Sequence, residues 1–191
     1  MARFEPLSPE QMSAEQKAVC DDIIASRGSV RGPFPVMLHN AGLAAAAEKL
    51  GGYARFGSKI EPKLREFAFA IIARFWGAHV EWVAHSRMAR EEGIDPEILS
   101  AMVQGRRPEF VNEDEVAVYD FLTTLLNTTK VDDDTYNKCH AVLGERGMID
   151  LMAANTHYTI VSMTLNVFQV SVPKGAEVPP FGPGRPVAGG E

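Results

Sequence analysis

The chain has 191 residues, 46% of them hydrophobic and 23% charged, which suits one compact soluble domain with a sizeable core. Its formal net charge is -6 and no run of basic residues breaks that balance, so a nucleic-acid partner is not expected. The longest nearly apolar run, Phe67 to Trp76, is interrupted by Arg74 and falls far short of the roughly 20 residues that span a bilayer, so no membrane partner is expected either.

In chain order the punctuation predicts helix after helix. Ser13 with Gln16 three residues on has the spacing of a capping box and opens a helix that Gly28 can close. Arg27 to Asn40, which holds Gly28, Gly32, Pro33 and Pro35, cannot be regular helix and reads as a loop carrying Phe34 and His39. Asn40 can cap a second helix running towards Gly51 or beyond. Pro62 suits a first helical position, and Leu64, Phe67, Ala68, Ile71 and Phe75 recur at spacings of three or four, marking one buried stripe.

Gly77 interrupts that helix, and the next runs from Val80 to Glu92 before Gly93 supplies a left-handed stop. Asp95 and Pro96 start another. Asn112 with Glu115 repeats the capping-box spacing ahead of Val116 to Leu126, and Asp134 to Glu145 continues as helix up to Gly147. The last helix, Met148 to about Val170, is apolar nearly all round and must be buried, inside the subunit or against another. No alternating pattern argues for a strand. Residues 1–172 read as one all-helical domain, and residues 173–191, ten of which are Pro or Gly, as a tail with little to pack against unless it wraps a neighbour.

The chemistry centres on Glu81 and His85, which are four residues apart and so share one helix face. A carboxylate that orients an imidazole makes a proton-transfer pair, because histidine titrates near neutral pH and the carboxylate favours its charged form. The same spacing also occurs on solvated helix faces. Glu66 lies in line with Ala70, Ala73 and Gly77, a strip of small residues where another helix can approach, and a Glu beside such a contact must be paired; pairing with Arg65 or Arg74 at the surface is the alternative. His79, Glu81 and His85 superficially resemble metal ligands, but only the last two share a face, and no metal or other cofactor is expected.

Two cysteines, Cys20 and Cys139, lie far apart with no C-x-x-C pair, and Met1 to Gln11 has no apolar stretch of the kind an export signal needs. Both features suit the cytoplasm. Adjacent helical residues point about 100° apart, so Cys139 and His140 read as two unrelated side chains rather than an activated thiol.

The segment Arg65-Glu66 through Ala73-Arg74 to Glu81-Trp82-Val83-Ala84-His85, then Ala89 and Gly93, resembles the signature region of the carboxymuconolactone decarboxylase family, which includes an alkylhydroperoxidase D branch. In that branch a Glu is followed twelve and fifteen residues later by the two cysteines of a C-x-x-C and nineteen later by a His; counted from Glu66, those positions are Ala78, Glu81 and His85. The Glu and His are kept and both cysteines are replaced, so a disulfide cycle at this site has no sulfur to work with.

The decarboxylase branch similarly carries a Glu four residues before the His. The resemblance implies an alkylhydroperoxidase D-like helical bundle assembled as a trimer or hexamer, with a site between subunits. It further implies a cofactor-free enzyme acting on a small organic acid or lactone by decarboxylation, hydrolysis or isomerisation. His85, Glu81 and Glu66 are then the catalytic candidates, and Trp82, His39, His157 and Tyr158 the candidates to line the cleft. The competing expectation is a non-catalytic oligomeric small-molecule-binding protein.

Overall fold

A computed structural model describes residues 3–181, and every regular element among them is helical. The order is α1 (Ala14–Arg27), α2 (Phe34–Met37), α3 (Ala41–Gly52), a π-helical turn (Tyr53–Gly57), α4 (Pro62–Trp76), α5 (His79–Glu91), α6 (Pro96–Val103), α7 (Glu113–Thr128) and α8 (Asp133–Val167). The expected caps form. Ser13 and Gln16 close a complete capping box, Asn40 accepts from Leu43 N, and Asp95 accepts from Glu97 N.

Asn112 departs from that pattern. Its side chain caps no backbone amide and instead donates to Glu115 Oε1 at 2.9 Å, while Glu115, almost fully buried, turns inward to Lys63 at 3.2 Å. The ion pair with a lysine on α4 outcompetes the box geometry and ties α7 to α4. The loop from Arg27 to Asn40 also differs from expectation, because one helical turn forms at Phe34–Met37 with Pro35 in its first turn, where a missing N–H costs nothing.

Helix α4 is the axis of the molecule. Pro62 starts it, and Gly77 stops it in the left-handed region (φ 62°) with Ala78 N reaching back to Ala73 O at 2.8 Å, a six-residue closure that needs no Cβ at the turn. From Phe67 to Ala73 every residue is fully enclosed, so α4 is covered by α5, α7 and α8 on all sides rather than along the single stripe the periodicity predicts. The reverse holds for the last helix. Its expected all-round burial is met on the face of Leu151, Ala154, Tyr158, Val161 and Leu165, but Ile149, Met163 and Val167 are exposed in the single chain.

Its start also moves. The break falls at Gly144 (φ 66°, ψ 175°), a conformation only glycine holds without strain, and the helix then runs straight through Gly147. The tail from Pro173 folds back onto its own chain through Phe181, which stacks on His79 (centroids 4.3 Å apart) and lies beneath the Arg74 guanidinium at 4.6 Å. Residues 182–191 lie outside the described residues.

One buried carboxylate locks α8 to the π-helical turn. Asp150, with no solvent exposure, accepts from the Tyr53 hydroxyl, from Lys59 N at 2.7 Å and from Arg146 Nε at 3.1 Å. Removing the acceptor would leave the Tyr53 hydroxyl and Lys59 N without it, while the exposed Arg146 turns to water, so Asp150→Ala is expected to cost about 2 kcal/mol in urea denaturation. A loss below about 0.5 kcal/mol would show that the latch carries no weight.

Candidate functional site

The short Gly77-Ala78 connection folds α5 back along α4 and brings Glu66 and His85, nineteen residues apart in sequence, into contact. His85 Nδ1 lies 2.7 Å from Glu66 Oε2, and Nε2 lies 3.2 Å from Glu81 Oε2, so the imidazole is held at both nitrogens by carboxylates from two helices. All three residues are buried, with 3%, 5% and 8% exposure for His85, Glu66 and Glu81. Glu66 does not pair with Arg74, whose guanidinium is committed to the carbonyls of Met102 and Val103; Arg65 stands 3.9 Å from its other oxygen. Phe69 and Tyr158 wall the ring edge-on, at 5.0 and 4.8 Å between centroids.

Burial by itself would push the His85 pKa down, but the hydrogen bonds and charges of Glu66 and Glu81 outweigh it, and the net direction is up from 6.5. Both carboxylates thus favour the charged ring over the neutral one. A neutral ring has one N–H and can satisfy only one of two facing carboxylates, whereas the imidazolium satisfies both.

Glu81 and His85 open onto a cleft of about 500 Å³ whose wall includes His157, Tyr158 and the arginines Arg27, Arg31, Arg55 and Arg87. Glu66 stands behind the ring, outside that lining. Arg27 and Arg87 are paired with Glu48 and Glu91, while Arg31 and Arg55 have no carboxylate partner among the described residues. Arg55 reaches the cleft from the π-helical turn, which nothing in the sequence pattern marks. The structure thus brings together five of the seven sequence candidates: Glu66, Glu81, His85, His157 and Tyr158.

Two candidates are placed elsewhere. His39 is exposed, bonded through Nε2 to Glu5 O at 3.1 Å and set edge-on to Phe4. Trp82 lies on the other side of α5 from the cleft, buried in the core and packed edge-on to Phe181. His79 is likewise turned to Phe181 and away from His85. Cys139 is buried in the core, where desolvation pushes its thiol up to about 12, and Cys20 belongs to α1. Neither sulfur is at the site.

The fold has counterparts of known structure. An uncharacterized peroxidase-related protein from Silicibacter sp. TM1040 superimposes with a TM-score of 0.71 at 12% identity, covering 92% of this chain and 93% of that one. The alkylhydroperoxidase AhpD core protein from Ralstonia eutropha JMP134, also peroxidase-related and uncharacterized, gives 0.72 at 11% identity over 91% and 93%. The debrominase Bmp8, in its complex with 2,3,4-tribromopyrrole, gives 0.67 at 15% identity over 91% and 95%. No family model and no curated protein matches the sequence. The chain therefore has the all-helical alkylhydroperoxidase D-like fold, over nearly its whole length, without the two cysteines at the matching positions.

The flanking carboxylates make a titration prediction. By NMR, His85 should remain protonated above pH 6.5 in the wild type, and Glu66→Gln should lower its midpoint because a hydrogen bond to an anion is lost. Because the folded value is raised, the stability His85 contributes is complete below 6.5 and is lost as pH rises through the folded value. An unshifted midpoint in Glu66→Gln would remove Glu66 from control of the ring.

Proposed function

We propose that this protein is a cofactor-free enzyme acting on a small organic acid, lactone or similarly activated carbonyl compound, with His85 as the proton-transfer group. The supporting observation is the buried imidazole held at both nitrogens by Glu66 and Glu81, with its Glu81 side on an arginine-lined cleft. A histidine kept only for packing has no need of two desolvated carboxylates.

The geometry divides the roles. Glu66, behind the ring and in the tighter contact with Nδ1, orients it; Glu81 shares the cleft face with Nε2. A substrate carboxylate or carbonyl oxygen is drawn in by Arg31 and Arg55, the cleft guanidinium groups without a carboxylate partner among the described residues.

In a decarboxylation the bond to the departing carboxyl carbon breaks, its electron pair passes into the adjacent carbonyl system as an enolate, and carbon dioxide leaves. His85 Nε2–H then delivers its proton to the carbanionic carbon, and solvent reprotonates the ring. Lactone hydrolysis or isomerisation uses the same proton path. Cytoplasmic residence and small-molecule partners belong to this reading, as does self-association as a trimer or hexamer. The groove on α8 around Ile160, Met163 and Val167 is the apolar face such an assembly would cover, and light scattering at micromolar concentration that finds only monomer would remove the assembly.

With a lactone and keto-acid panel as substrates, His85→Ala is expected to lower turnover about a hundredfold or more, the usual share of a positioned acid or base. Glu81→Gln should cost less, since it keeps a hydrogen-bond acceptor while losing only the charge. The double variant Cys20→Ser with Cys139→Ser should leave turnover nearly unchanged. Wild-type turnover in a folded His85→Ala protein would overturn the assignment, and ligand binding without turnover by the wild type would leave a binding protein in its place.

A further inference from the structure

The same cleft holds two buried polar atoms that have no hydrogen-bond partner among the described residues. His157, 3% exposed on α8, has no hydrogen-bond partner at Nδ1, and Arg27, the last residue of α1, has none at Nη2. Both residues line the cleft and both crowd one point above Gly51, where a methyl group would overlap His157 Nε2 and lie 2.8 Å from Arg27 Nη2.

The arrangement has a consistent proton assignment. Burial first, then the charge of Arg27, lowers the His157 pKa to about 4, so the ring is neutral at pH 7 and carries one proton. A neutral imidazole can carry its proton on either nitrogen, and an acceptor placed at Nδ1 selects the tautomer in which Nδ1, like the orphaned Nη2, donates. Arg27 is held in place independently, by Glu48 through Nε and by the Phe34 ring 4.9 Å from Cζ, so its free nitrogen is preorganised rather than swinging in solvent. Two fixed, buried, unanswered donors on one wall are costly unless an acceptor arrives.

We propose that Arg27 and His157 form an anion subsite that takes a carboxylate group of the ligand, separate from the reacting group at His85. The inference rests on the cleft being the functional site, and it implies a ligand with two acidic or carbonyl ends, one on each pair of residues. Phosphate offers similar oxygens, so the two anions are compared directly.

The test is calorimetry on the full-length protein at pH 7 with malonate, acetate and inorganic phosphate, together with the NMR signal of the His157 ring. Malonate should bind once per chain, more tightly than acetate or phosphate, and should shift the His157 resonance. Arg27→Gln should weaken malonate at least about tenfold, as the loss of a hydrogen bond from a charged donor does. Arg27→Lys, which keeps the charge and the contact with Glu48 but has no Nη2, should also weaken it and covers the case in which Arg27→Gln does not fold. Arg87→Gln, at an arginine already paired with Glu91, serves as the control for the general field and should change affinity less than about twofold.

Equal losses in Arg27→Lys and Arg87→Gln, absence of malonate binding, or a His157 signal that ignores malonate would each overturn the subsite. Tighter phosphate than malonate would overturn the carboxylate. His85→Ala separates this inference from the proposed reaction: malonate binding that persists there supports the subsite whatever becomes of turnover, and binding lost there with a folded protein places the anion on His85 instead.

Discussion

A buried imidazole enclosed between two carboxylates is the constraint around which the rest of the chain is arranged. None of the three groups can be buried alone at tolerable cost, and together they are stable only while both carboxylate contacts are kept. Those contacts come from different helices, so α4 and α5 must pack closely and in a fixed register. The residues that permit this are small: Ala70 and Ala73 on α4, Ala78 at the turn and Ala89 on α5 are all fully enclosed. The left-handed Gly77 makes the connection short enough to set the register.

Much of the scaffold was legible because caps and glycine stops act locally. Ser13, Asn40, Asp95, Gly28, Gly77 and Gly93 do in the structure what their side chains or φ freedom predict. What escaped depends on neighbours. A 3.6-residue stripe cannot distinguish a helix packed on one side from one packed on all sides when the second set of contacts falls on alanines, as at Ala70 and Ala73. Gly147 was expected to break the chain and Gly144 does so.

The site was legible to a different degree at each residue. Glu81 and His85 share a helix face, which sequence spacing reports directly. Glu66 was found through its place in a family pattern and its line of small neighbours, while the contact that matters, to Nδ1, crosses between helices and no spacing rule contains it. Arg55 and Arg27 gave no signal at all. The first enters through a π-helical turn, a local widening frequent at functional positions, and the second through the meeting of α1, α3 and α8 above Gly51. Trp82, by contrast, was a candidate cleft wall through the family resemblance of the signature helix; that helix turns it away from the cleft and into the core.

The fold is shared with peroxidase-related proteins and a debrominase, and it does not choose among reactions. In the proposed reading the side chains around His85 do. Where the resemblance places a thiol, fifteen residues after Glu66, this chain has the Glu81 carboxylate, which cannot cycle between oxidation states but can hold a proton on the neighbouring ring. His157 shares the same cleft and nearly the same degree of burial as His85, yet its pKa moves the other way. Desolvation acts on both rings alike, so the difference lies in their neighbours: two carboxylates for His85, a guanidinium for His157. In the proposed reading two imidazoles driven apart in this manner take different tasks, one to give up a proton and one to stay neutral and offer a hydrogen bond. That division is what a cleft needs if one end is to hold an acidic ligand and the other is to change it.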